Sequence, residues 1–288
     1  MHRFRHFVLI LSCTAPLLWS AREPGSALRP GWNMFNKEQD VQLGQEAAAE
    51  VRKKSQVVQN QFLQSYISRV GQRIAGASEA RASGFTFTFT LIADPSINAF
   101  ALPGGPMFIN TGLLAAVDNE AELAGVIGHE ISHVILRHGT HEASKANLIE
   151  LPAALAGSLA GSSGSLLGKL AQLGIGFGAN SVLLRFSRDA ESEADALGSH
   201  LMAEAGYNPV EMAHFFEKMQ SSGPSNGPQF LSDHPNPGNR EAAIEAEVRT
   251  LPQRKYGYET GDFRRAKAQL ARLPKPAVKP AGARGGML

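Results

Sequence analysis

With 288 residues and a formal charge of +2, the chain suits one sizeable globular domain with terminal extensions. No long basic run and no interleaving of aromatic with basic residues occurs, which gives nucleic-acid binding no footing. The single cysteine, Cys13, rules out an internal disulfide, so stability must come from elsewhere.

Arg3 and Arg5 precede an apolar run from Phe7 to Trp19, the pattern of an export signal over residues 1–21 and too short and interrupted for a membrane span. Ile10-Leu11-Ser12-Cys13 is similar to a bacterial lipoprotein box, which would anchor the chain through a lipidated Cys13; cleavage near Ser20 or Ala21 is the other reading. Both send the chain to the bacterial periplasm. Residues 22–35, with two prolines and two glycines, read as a linker.

Asn36 then offers an N-cap, with Gln39 three residues on, to a helix through Val41, Leu43, Ala47 and Val51 that ends at Lys53-Lys54. A second amphipathic helix spans about Gln59 to Ile74 on Phe62, Tyr66, Ile67, Val70 and Ile74. Phe85 to Leu91 alternates phenylalanine with threonine and is the clearest strand, with Asp94-Pro95-Ser96 as the turn after it. From Asn98 to Asn110, two short extended pieces flank Pro103-Gly104-Gly105-Pro106. Proline cannot donate to a sheet ladder, so this segment is expected at an edge or a bend. A plain β-turn is one reading; the other is an exposed edge on which Asn98, Ala99 and Phe100 pair with an extended peptide.

Asn119, with Glu122 at N3, caps a very apolar helix that carries His129-Glu130-Ile131-Ser132-His133. Two histidines four positions apart lie about 40° apart around a helix, so both rings can reach one metal from the same face. Glu130 can reach a water on that metal. Either histidine alone reads as a hydrogen-bonded core residue, but three polar groups inside so apolar a helix are costly to bury without a partner. Gly125 and Gly128 permit close packing of a neighbour. The helix is expected to end at Gly139, which leaves His138 and His141 as a polar helix end.

Residues 151–184 are rich in Ala, Gly, Ser and Leu, with Lys169 as their only charge. Repeated glycines, each costing a helix about 1 kcal/mol, argue for two short apolar helices beside the active site rather than a span; contact with a membrane surface is the alternative. From Arg185 the pattern is strongly helical, with Ala190, Ala194, Leu197 and Leu201 as the buried face. Asn208, Pro209 and Glu211 start another helix. A Ser/Gly/Pro-rich loop then holds His234-Pro235, Arg240 to Arg249 is a polar helix, and residues 274–288 read as a disordered tail.

A catalytic zinc takes three protein ligands and keeps a water. His129 and His133 would supply two, and Glu191, Glu193 and Asp195 form the pool for the third. Glu191 and Asp195 share a helix face that offers a ligand together with a supporting acceptor, whereas Glu193 points elsewhere.

Four motifs occur in order: Asn98-Ala99-Phe100-Ala101-Leu102-Pro103-Gly104-Gly105, His129-Glu130-x-x-His133, Arg188-x-x-Glu191-x-Glu193-Ala194-Asp195-x-x-Gly198 and His234-Pro235-x-x-x-x-Arg240. Together they resemble the gluzincin family of zinc metallopeptidases that includes the CAAX prenyl protease, HtpX, BepA and LoiP, over residues 36–273. The resemblance implies an α+β fold: a mainly helical zincin-type domain with a small sheet whose edge flanks the active site. It implies one zinc per chain on His129, His133 and Glu191, with Glu130 as general base and Asp195 orienting a ligand. His234 and Arg240 match a segment over the cleft that serves catalysis by holding substrate or oxyanion, and in some relatives the histidine is thought to cap the zinc at rest. The implied partners are protein or peptide substrates, misfolded or unassembled envelope proteins, with an envelope chaperone of secondary proteolytic activity as the alternative. The several membrane spans of the prenyl protease and HtpX and the tetratricopeptide repeats of BepA have no counterpart here, so their substrates and partners are not carried over.

Overall fold

The computed structural model describes residues 22–146, 165–172, 186–221, 229–252 and 254–274. The export signal with Cys13, most of 151–184 and the tail from 275 lie outside them. Helix α1, Lys37–Lys54, begins with the expected reciprocal cap: Asn36 Oδ1 accepts from the Gln39 N–H at 2.8 Å and Gln39 Oε1 from the Asn36 N–H at 2.9 Å. Helix α2, Gln61–Ala75, starts behind an Asn60 cap and buries Leu63, Tyr66, Ile67, Val70 and Ile74; a short α3, Ser78–Ala82, follows.

Strand β1, Thr88–Ile92, is shorter than the alternating run, although alternate burial starts at Phe85. Strands β2, Ala99–Ala101, and β3, Pro106–Asn110, complete one sheet of order β1-β3-β2. Strand β3 pairs parallel with β1 and antiparallel with β2, placing Phe100 opposite Phe108. Only part of the segment expected at an edge is therefore there. Pro106 opens the central strand, which its first position allows, because a missing N–H there breaks no ladder bond. Gly104 and Gly105, at φ 78° and 118°, make the turn between β2 and β3 in a region that side chains avoid.

Helices α4, Thr111–Ala116, and α5, Glu120–Ile135, follow. Asn119 caps α5 through the Glu122 N–H at 2.8 Å, as expected. The far end differs. The chain leaves the helix at Leu136, and Arg137 takes the left-handed conformation at φ 58°. Asp40 accepts from Arg137 Nε at 2.6 Å, and the Phe35 carbonyl from Nη2 at 2.6 Å, which holds this break in place. His138 therefore opens a new helix, α6, His138–Ala146, instead of ending the old one, and it is buried.

Helix α7, Leu166–Gln172, sets Leu166 and Leu170 against Phe35, Leu43 and Ala143. Next come α8, Arg188–Ala205, capped by Ser187, then α9, Val210–Ser221, α10, Gln229–Asp233, α11, Arg240–Val248, and α12, Phe263–Leu270. Residues 22–35, expected as a linker, lie against the body: Arg22 pairs with Glu247, Asn33 donates to Thr140 Oγ1 at 2.8 Å, and Phe35 is buried.

Helix α5 is the axis of the core. Leu123, Val126, Ile127, Ile131 and Val134 pack among α2, α8, α9 and the sheet, each such side chain contributing about 1.5–3 kcal/mol on burial. A Cβ on Gly125 would stand 2.7 Å from Met212 Cβ, so only glycine lets α9 approach this closely. At the N-terminus of α5, buried Glu120 accepts from the Tyr66 hydroxyl at 3.1 Å, the Tyr207 hydroxyl at 2.9 Å and the Thr260 N–H at 2.8 Å. That clamp fixes the axis on which the site is mounted. Among the described residues no helix is long and apolar enough to cross a membrane.

Candidate metal centre

Helix α5 presents His129 and His133 on one face, α8 presents Glu191 across from them, and the turn after α10 adds His234. One donor atom from each lies within 4.8 Å of all the others, and all four residues are buried. Asp195 stands one turn beyond Glu191, with Oδ1 3.0 Å from His129 Nδ1. A carboxylate only accepts, so His129 Nδ1 carries the hydrogen and Nε2 turns its lone pair inward. His133 Nε2 lies 3.0 Å from that same atom, and Glu191 contributes oxygens 3.3 Å from His129 Nε2 and 3.4 Å from His133 Nε2. Imidazole nitrogens this close, with a carboxylate over them, need a cation or shared proton between them. The imidazole and carboxylate donors are those of a zinc site, and the residues present fit that metal.

The electrostatics agree. Burial pushes His133 well below the usual histidine range. Burial opposes charge on His129 and His234 as well, but Glu191 together with Asp195 outweighs it at His129 and Glu191 together with Glu130 outweighs it at His234, which is pushed up to about 10. Burial would raise Glu191, yet His234 and His129 hold it well below the usual carboxylate range. Such a pocket favours positive charge at its centre.

Glu130 points the same way. Its Oε2 accepts from the Ala101 N–H at 3.1 Å, whereas Oε1 is buried, accepts no hydrogen bond and lies in ion-pair contact with His234 Nε2 at 3.2 Å. Arg240, the first residue of α11, packs its guanidinium between the acids and Phe216. Its Nε and Nη2 donate to Asp195 at 2.7 and 2.6 Å, and Nη2 reaches Glu191 at 3.3 Å. Ala99 and Phe100 open the edge strand and Asn98 directly precedes it; α10 is tied to the chain just before that edge, where the Phe230 N–H donates to the Ile97 carbonyl at 3.3 Å and Asn98 Nδ2 to Asp233 Oδ2 at 3.3 Å. Ala101 is the edge residue that touches Glu130.

A family comparison decides what this arrangement belongs to: residues 61–248 match the model of peptidase family M48. The chain belongs to peptidase family M48. A beta-barrel assembly-enhancing protease of Escherichia coli strain K12 is 31% identical over 209 residues, 71% of this chain and 42% of that protein. The mitochondrial metalloendopeptidase OMA1 of Schizosaccharomyces pombe is 34% identical over 199 residues, 68% of this chain and 56% of that protein. The chain thus spans about half the length of these M48 relatives.

Three contributors to this M48 site were not singled out by the sequence. His138 places Nδ1 2.9 Å from His133 Nδ1, Phe186 stacks on the His133 ring at 3.8 Å, and Phe230 stacks on His234 at 4.3 Å. A third histidine five positions after His133 is a visible signal for the first. The phenylalanines carry none.

Proposed function

We propose that this chain is a zinc-dependent endopeptidase of the cell envelope in which His129, His133 and Glu191 hold the metal and Glu130 is the general base. The observation that carries this reading is the buried Glu130 Oε1, which accepts no hydrogen bond and faces His234 Nε2 at 3.2 Å, beside converging imidazole and carboxylate donors. Bound there, zinc supplies Lewis-acid polarisation of a carbonyl and makes water acidic near neutral pH. Glu130 is steered through Oε2 by the Ala101 N–H, which leaves Oε1 to take the proton of the attacking water and return it to the leaving amine. Asp195 fixes the His129 tautomer, and Arg240 compensates the charges of Asp195 and Glu191, so both act as positioning residues.

Substrate binding falls to the strand edge. The Asn110 N–H to Asn98 C=O and Leu102 N–H to Pro106 C=O bonds turn alternate groups of β2 towards β3, so the backbone groups of Ala99 and Ala101 face away from it. An extended peptide pairs with that edge through the groups other than the Ala101 N–H, which Glu130 holds, with Asn98 and Phe100 beside it. His234 takes the fourth donor position and α10 is anchored at Ile97 and Asn98, at the entrance to the edge, and the protein is at rest in this state. Substrate entry requires His234 and α10 to withdraw. The envelope location rests on the export-type N-terminus. Unassembled envelope proteins as substrates rest on the resemblance to envelope proteases and on the name of the assembly-enhancing relative.

The test is zinc stoichiometry and casein cleavage for wild type and Glu130→Gln, with and without a chelator. The expected result is one zinc per chain in both, with cleavage confined to the wild type and abolished by chelation. A Glu130→Gln protein that still cleaves at the wild-type rate overturns the assignment.

A further inference from the structure

We infer that His138 and Glu193 form a relay that positions the second histidine ligand, so that α8 serves both ligands of α5 with three alternating acids. This rests on the proposed zinc reading. If His133 binds metal through Nε2, its Nδ1 carries the hydrogen and needs an acceptor. For His129 that acceptor is Asp195. For His133 it is His138, whose Nδ1 lies 2.9 Å away. Accepting at Nδ1 leaves the neutral His138 ring with its hydrogen on Nε2, and that atom lies 3.1 Å from Glu193 Oε2. Every hydrogen in the chain His133, His138, Glu193 is then assigned without freedom.

The packing supports this directional role. His138 is buried at the start of α6, its ring edge-on to His133 at 4.9 Å, while the Phe186 ring stacks on the face of His133 at 3.8 Å. His133 is thus held by a stacking partner and by one directional hydrogen bond. The left-handed Arg137 gives His138 its place, because a continuous α5 would carry residue 138 five positions on, away from the His133 face. Glu193 faces away from Glu191 on α8, and its half-exposed side chain reaches His138 rather than the metal cluster. Glu191 thus serves as ligand, Asp195 supports His129, and Glu193 supports His133 through His138.

The test uses the full chain and reads the zinc dissociation constant by competition with a chelator, with thermal unfolding of the metal-free protein as the control for folding. His138→Ala is expected to weaken zinc binding about 10- to 100-fold, as loss of a ligand's hydrogen-bond partner does elsewhere. His138→Asn restores an acceptor near the Nδ1 position and should recover most of the affinity. Glu193→Leu, at a half-exposed site where folding is safe, should weaken zinc binding, while Glu193→Gln, whose amide oxygen still accepts, should not. The relay is overturned if Glu193→Leu or a folded His138→Ala binds zinc as tightly as wild type, or if His138→Asn is no better than His138→Ala. A wild type that binds no zinc overturns the proposed function and the relay together. A tight wild type with unaffected variants overturns the relay alone.

Discussion

Replacing Arg240 by methionine removes the guanidinium but keeps an apolar stem of similar length against Phe216. The side chain is 1% exposed and faces Asp195 and Glu191, both also buried. Removing one member of a buried ion pair costs about 3–5 kcal/mol, because the remaining charge has no compensation. Here two carboxylates are left, joined to Arg240 by three hydrogen bonds of 2.6 to 3.3 Å, which places the loss near the top of that range. For a domain of this size about 1 kcal/mol corresponds to 2–4 °C, so a loss of about 4–5 kcal/mol lowers the melting temperature by about 8–20 °C. The measurement is thermal and urea unfolding followed by circular dichroism with a chelator present, so that metal binding to the folded state does not mask the loss. Zinc on Glu191 replaces part of the missing positive charge, so the deficit should shrink when the metal is restored. A Tm within about 2 °C of wild type in chelator would refute the view that Arg240 compensates these acids.

His234→Ala should keep one zinc per chain while raising cleavage of an unstructured peptide, since it frees the fourth donor position and unblocks Glu130 Oε1; metal analysis showing zinc loss would make His234 an obligatory ligand instead. Gly125→Val drives a side chain into Met212 and should destabilise the fold by about 1–3 kcal/mol, read by urea unfolding. The cluster of His200, Glu247 and Glu79 gives a pH signature. His200 faces Glu247 at 2.6 Å and Glu79 at 3.7 Å; burial works against its charge, but these acids outweigh it and push it up to about 9, while His200 brings Glu79 down to about 2. A raised histidine stabilises fully below its unfolded value of about 6.5 and loses that contribution as pH rises through about 9. A lowered Glu79 stabilises above about 4.5 and loses its contribution as pH falls towards about 2. His200→Gln should therefore flatten the decline in Tm between about pH 6.5 and 9, and an unchanged slope would remove this cluster from the pH dependence.

Much of the site was legible because it obeys helical periodicity. The spacing of His129 and His133, their position behind the Asn119 cap and the shared face of Glu191 and Asp195 are local facts that a 3.6-residue repeat determines by itself. The Asn36–Gln39 capping box and the buried face of α8 were readable for the same reason. Helical spacing also set Glu193 apart and the resemblance pointed to Glu191; what local pattern could not supply is the crossing of α8 over α5, close enough for Gly198 to touch the His129 backbone, which brings Glu191 rather than Asp195 into the cluster with both imidazoles and His234. Nor could local pattern end α5 at Leu136, because the left-handed Arg137 is held by Asp40 and the Phe35 carbonyl, about a hundred residues earlier in the chain. That break made His138 a neighbour of His133 instead of a helix end. The placement of Pro106 in a central strand and the anchoring of α10 on Ile97 and Asn98 are likewise long-range outcomes. Sequence alone determined which groups share a helix face; tertiary packing decided which faces meet, since that depends on contacts between segments whose separation no local period encodes.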